Sequence, residues 1–251
     1  MSTFKAVGLV VKYADYKEYD RMLTILSPQY GKIDAIARGC RKNGSRLTAG
    51  AQPFAYAEYV FNVRGNLCSV TQVDMRESFY DLRMDLNKLT AGAFILDACA
   101  THAQHGQSCE ELFELSYYTL SFICYGKAST IDLMLTFVFK LMDILGFRPA
   151  TTHCGICEKS TFQNGVFHHY YGALCEECAQ TNGGMHTDPL TLEALRRMLS
   201  LPLPDLYKVC LPETVRSQLK QFIPGYSETH LEKRYKPLKF IDLIDNDTPN
   251  G

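Results

Sequence analysis

Up to residue 76, β-branched and aromatic residues alternate with polar ones at a period close to two, and turn-forming residues interrupt the alternation. The alternation predicts strands at 4–13, 19–26, 32–38, 55–63 and 67–76. The breaks fall at 14–18, at 27–31, in a long loop over 39–53 and at the tight turn Arg64-Gly65-Asn66. Five strands without a clear helix fit a small closed antiparallel barrel, which leaves no long open edge for another chain to pair with. An OB-type barrel has that strand count, and an SH3-like barrel or a small sandwich shares it.

From Ser78 the apolar period lengthens to three or four. Phe79, Leu82, Leu86, Leu89, Ala93, Leu96 and Ala100 would form one stripe along a long helix. Ser108 and Glu111 have the spacing of a capping box, and Leu112, Leu115, Thr119 and Phe122 continue one face to a stop at Gly126. A third helix begins near Ile131 and ends before Gly146 and Pro149. Asp188-Pro189 reads as the cap and first turn of a fourth, and residues 213–222 predict a fifth, closed by Pro224-Gly225. No apolar run approaches the ~20 residues of a membrane span, so no membrane role is expected.

Charge divides the chain unevenly. The net of −1 hides 11 Lys or Arg against 6 Asp or Glu in residues 1–76, so that +5 at one end balances −6 over the remainder. Such an imbalance points to a polyanion-binding surface near the N-terminus, against the commoner reading of a solvated charged face. Its densest part is Arg38-Gly-Cys-Arg41-Lys42-Asn-Gly-Ser-Arg46, with four cations in nine residues and no acid. Placed at a barrel rim, the loop would contact phosphates without regard to base. Gly39 and Gly44 have the glycine spacing of a P-loop, but Ser45 and Arg46 stand where its Lys and Ser/Thr belong, which argues against ATP binding. Tyr13, Tyr16, Tyr19, Phe54, Tyr56, Tyr59 and Phe61 are candidates to stack on bases, although half of any alternating set faces a core. Lys233, Arg234, Lys236 and Lys239 make a second basic cluster.

The sharpest motif is Cys154-x2-Cys157-x17-Cys175-x2-Cys178, a spacing that suits one structural zinc ion held by four thiolates. Four sulfurs close the tetrahedron and leave no place for an activated water, so the metal would be structural. Asn164-Gly165 supplies a two-residue hairpin turn to bring the second pair back beside the first. A redox reading of each CxxC lacks its βαβ setting. The other six cysteines read as buried small hydrophobes in a reducing compartment.

Taken in order, Gly8-Leu-Val-Val-Lys12, Glu18-Tyr-Asp-Arg21, Gly31-Lys-Ile33, Ala37-Arg38-Gly39, Leu145-Gly-Phe-Arg-Pro149, the four cysteines and Lys236-Pro-Leu-Lys-Phe240 resemble the RecO family of bacterial recombination mediators. The resemblance covers most of the chain. It implies an α+β multidomain protein: an OB-fold DNA-binding domain over 1–78, a helical domain over 79–150 and 186–251, and a zinc-finger insert over 151–185. It further implies binding of single- and double-stranded DNA, annealing of complementary strands, and loading of the RecA recombinase with RecR onto strands covered by single-strand-binding protein. It places the protein in the bacterial cytoplasm at the nucleoid. The C-terminal tail of the single-strand-binding protein is expected in an apolar groove between helices, near a cation such as Lys140. Two rival classes are a zinc-containing nucleic-acid enzyme and a structural adaptor. The first lacks a nucleophile motif or convergent acid and base, and the second would show no salt-dependent DNA affinity.

Overall fold

A computed structural model describes residues 2–65, 67–160 and 165–230. The N-terminal strands are β1 (Ser2–Tyr16), β2 (Asp20–Ser27), β3 (Gly31–Ala37), β4 (Tyr56–Arg64) and β5 (Leu67–Glu77). All pairs are antiparallel except the short parallel pairing of β3 with β5, and the circuit β1-β2-β3-β5-β4 closes on itself through β4 and β1. Val10, Leu23, Ile25, Ala35, Tyr59, Phe61 and Val70 point into its core. Tyr59 is fully buried, and its hydroxyl donates to the carbonyls of Gly50 and Ala55. That bond anchors the long loop before β4, where residues 49–51 form a single 3-10 turn.

The predicted strands match in number and, to within one residue at most ends, in position, with the largest revision at the β1–β2 turn. Residues 14–16 are ladder, not break, because β1 and β2 remain paired out to Tyr16 opposite Asp20, whereas Tyr19, expected to open β2, lies in the turn. The Asp15–Arg21 ion pair at 2.9 Å joins the two strands across this extension, and the turn shrinks to Lys17-Glu18-Tyr19.

The single long helix expected from Ser78 is broken. Phe79 takes a left-handed backbone with φ 48°, residues 80–84 form a 3-10 turn, and Asp85 caps α1 (Leu86–His102) by accepting from Lys88 N. Breaking the helix rotates the apolar face: Phe94, Ile95, Leu96, Ala98 and Cys99 are buried, whereas Leu86 and Ala93 of the expected stripe are exposed. α2 (Glu110–Tyr125) starts without the expected box, since Ser108 Oγ donates to Pro28 O instead and Cys109 O accepts the first helical bond from Phe113 N.

Compactness divides the chain at Cys124/Tyr125. In the second unit, α3 (Thr130–Ile144) has every residue from Ile131 to Met142 buried, far more than one amphipathic face. Its polar members are satisfied: Asp132 accepts from Arg216 Nε at 2.8 Å and Leu211 N at 3.1 Å, and Lys140 Nζ donates to the carbonyls of Leu199 and Leu201. α5 (Pro189–Ser200) has the expected Asp188 cap and first-turn proline. α6 (Glu213–His230) runs through Pro224 rather than stopping there, because residues beyond it pack tightly. Phe222 stacks on Phe167 at 4.0 Å, and Tyr226, 1% exposed, donates its hydroxyl to Phe147 O. Between α3 and α5 lie β6 (Gly165–His168), β7 (Gly172–Leu174), α4 (Glu176–Asn182) and β8 (Met185–Thr187), in sheet order β7-β6-β8. Among the described residues no helix is long and apolar enough to cross a membrane.

Candidate metal centre and nucleic-acid interface

The four cysteines converge. Cys154 lies in a tight loop where its N–H donates to Lys159 O and its carbonyl accepts from Glu158 N. Gly155 permits the turn, though for a different reason than backbone freedom. A Cβ there would collide with the carbonyl of Tyr171, and the close approach lets Gly155 N donate to Ala173 O at 2.8 Å. The second pair sits at the start of α4, with Cys175 as its cap residue and Cys178 three positions on. The hairpin joining the pairs is β6–β7, turning at 169–171. Gly165 is its first strand residue, opposite Thr187 on β8; Asn164, the other residue of the expected Asn-Gly turn, lies outside the described residues.

All four sulfurs lie within 4.8 Å of one another, and Cys157 and Cys175 are 3.7 Å apart. A tetrahedron with metal–sulfur bonds of about 2.3 Å has edges of about 3.8 Å, so the cluster is sized for one ion. None of the ten cysteines forms a disulfide. Burial raises the Cys154 thiol, but the backbone N–H groups of Cys157, Cys175 and Ile156 outweigh it and bring the group down to about 6. Burial and hydrogen bonds from the neighbouring sulfurs push Cys178 up to about 12. Cys154 is thus readily held as a thiolate, whereas Cys178 needs a cation beside it to lose its proton. His168 is occupied, its Nδ1 accepting from Tyr170 N. Of the six other cysteines, Cys40, Cys99 and Cys124 are buried as expected, Cys68 and Cys109 are half-buried, and Cys210 is exposed.

The basic loop follows β3 and is built by successive turns, Lys42 N to Gly39 O, Ser45 N to Lys42 O and Thr48 N to Ser45 O. The buried Cys40 roots it, its carbonyl accepting from Thr48 Oγ1. The β1–β2 hairpin braces it from the side: Gly39 N donates to Asp20 Oδ1, Arg41 N to Tyr19 O, and Arg41 pairs with Asp15 at 3.4 Å. Arg38, Arg41, Lys42 and Arg46 are all exposed, and Arg38 and Arg46 have no ion pair among the described residues. The brace was not foreseen. Asp15 and Arg21, six apart around a turn, were its only trace in the sequence, and the register that makes them partners is a tertiary fact.

The candidate aromatics separate cleanly. Phe54, Tyr59 and Phe61 are buried, and Tyr56 packs on Phe113 and Tyr117. Tyr13, Tyr16 and Tyr19 are 42%, 43% and 41% exposed. Lys233, Arg234, Lys236 and Lys239 lie outside the described residues.

Lys140 does not serve a groove. It is 7% exposed, and its ammonium is committed to carbonyls at the end of α5. An apolar cavity of about 370 Å³ does lie beside α5, lined by Leu190, Ala194, Met198, Leu201, Val209 and Val215, and its cations are Arg197 and Lys208.

Residues 1–79 match the family described as "Recombination protein O N terminal", and residues 83–239 match "Recombination protein O C terminal". A DNA repair protein RecO of Acetivibrio thermocellus is 30% identical over 247 residues, spanning 98% of both chains. That of Desulfitobacterium hafniense is 32% identical over 264 residues, spanning 100% of this chain and 94% of its own. With both halves matched in order, and with relatives aligned along nearly the whole length, the chain belongs to the RecO family of DNA repair proteins.

Proposed function

We propose that this protein is a non-catalytic recombination mediator: it binds single- and double-stranded DNA, anneals complementary strands without ATP, and loads recombinase, together with RecR, onto strands covered by single-strand-binding protein. The barrel over 1–78 is read as an OB-fold DNA-binding domain, the segments 79–150 and 186–251 as its helical partner, and 151–185 as the zinc finger. Cys154, Cys157, Cys175 and Cys178 would hold one Zn²⁺ whose part is structural, since four thiolates leave no open coordination position. The acidic tail of the single-strand-binding protein would enter the groove beside α5, where its carboxylates would compete with Glu193 and Asp205 for Arg197 and Lys208.

One observation carries the reading: four exposed cations, Arg38, Arg41, Lys42 and Arg46, stand on a loop braced at both its root and its flank. Two strands of DNA repel each other, and such a surface neutralises phosphates on both without reading sequence. Titrating labelled single-stranded and duplex oligonucleotides at two salt concentrations tests it. Affinity should fall steeply with salt on both, and complementary strands should anneal faster with protein and no nucleotide. Salt-independent binding, or annealing that waits for ATP, overturns the proposal.

A further inference from the structure

Three tyrosines within seven residues of one hairpin each remain about two-fifths exposed, and each has a cation over its ring. Arg21 lies 4.4 Å from the ring centre of Tyr13, Lys17 lies 5.3 Å from Tyr16, and Lys42 lies 5.4 Å from Tyr19. The first pair is architectural, because the Arg21 guanidinium also bonds Asp15, Ala51 O and Gln52 and is mostly buried. The other two differ. Lys17 and Lys42 are exposed and have no ion pair among the described residues, while Tyr16 ends β1 and Tyr19 closes the turn that leads into β2.

We propose that Tyr16 and Tyr19, with Lys17 and Lys42 over their rings, form a stacking site for unpaired bases that makes the hairpin selective for single-stranded nucleic acid. The inference deepens the DNA-binding reading above and rests on it. An exposed phenol with an ammonium over its π-face gains little in water, so neither ring is held here by strong packing of its own. A base needs such a face, and a phosphate needs such an ammonium. Duplex DNA keeps its base faces stacked inside the helix, so it can use the cations but not the rings; a single strand can use both. The loop cations and the hairpin rings therefore divide the work: charge sets affinity for any strand, and stacking adds preference for an unpaired one. Hydrogen bonds between the two segments, Arg41 N to Tyr19 O and Gly39 N to the Asp20 carboxylate Oδ1, keep them in one register.

The test compares the full chain with Tyr16→Ala/Tyr19→Ala, Tyr16→Phe/Tyr19→Phe and a charge reversal of Arg38, Arg41, Lys42 and Arg46. Each is titrated with labelled oligothymidylate, an abasic strand of equal length and a duplex. The alanine pair should lose at least about tenfold on oligothymidylate, with duplex binding and the salt slope unchanged. The phenylalanine pair should keep wild-type affinity, and the wild type should hold the abasic strand no better than the alanine pair does. The charge reversal should weaken all three ligands. If the alanine pair binds oligothymidylate normally, or loses duplex and single strand alike, the stacking site is refuted while the DNA surface stands. If the charge reversal also changes nothing, the DNA surface itself is misplaced.

Discussion

The barrel and the cysteine segment reach a fixed structure by different means. Inside the barrel fourteen buried residues form one cluster around Tyr59 and Phe61, with its hydrogen-bond circuit closed. The cluster at the candidate metal centre has four buried members, and two of them are the candidate ligands Cys154 and Cys175. A strand-rich body of that size is held by distributed apolar burial, each large side chain contributing roughly 1.5–3 kcal/mol. The cysteine loops have little such reserve, so with a metal held by the four sulfurs their stability would be a metal-binding free energy. One chain would therefore contain a part that mutation erodes gradually and a part that chelation removes at once.

The largest effect should come from the metal. Removing it with a strong chelator, or replacing Cys175 with serine, forfeits a binding free energy on the order of 10 kcal/mol. Amide exchange over the ligand loops 152–160 and 175–182 should rise to unfolded rates while β1–β5 stay protected. Continued protection of the cysteine loops without metal would erase the distinction drawn above.

The converse change is Phe61→Ala, which removes a fully buried ring from the barrel and should cost about 3–5 kcal/mol in denaturant unfolding. Metal stoichiometry should stay at its wild-type value, and concurrent metal loss would mean that the two regions are not separately held.

A third kind of cohesion operates in α3, where Asp132 is 1% exposed and joins Arg216 to the N–H of Leu211. Asp132→Ala should destabilise the second unit by about 3 kcal/mol, since it strips a partly buried guanidinium and a backbone donor of their partner. Lys140→Met should do less, because it leaves two carbonyls unbonded but adds apolar volume. Equal losses in thermal unfolding would show that the burial of α3, not its charges, dominates.

The smallest effect on stability belongs to the basic loop. Reversing Arg38, Arg41, Lys42 and Arg46 should shift the unfolding free energy by no more than about 0.5 kcal/mol per exposed site. It should also flatten the salt dependence of DNA binding, read as the slope of log K against log salt. An unchanged slope would move the DNA surface away from this loop.

What the amino-acid order determined by itself is local: five strands from alternation, the Asp188-Pro189 start of α5, the four-sulfur spacing and the density of charge at Arg38–Arg46. These follow from periods of two and 3.6, from a proline's fixed φ and from side-chain chemistry, all of which act within a few residues. Folding decided the rest. Phe79 broke the expected helix because a left-handed residue there delivers a fully buried ring, and Pro224 failed to end α6 because Phe222 and Tyr226 pack on either side of it. Tyr13, Tyr16 and Tyr19 stayed outside while Tyr59 went in, although alternation ranks them alike. Lys140 was drawn onto the end of α5, where unpaired carbonyls at a helix C-terminus attract a cation. In each case the outcome depends on which surface lies opposite a side chain, and that surface comes from residues tens of positions away, beyond the reach of any local period.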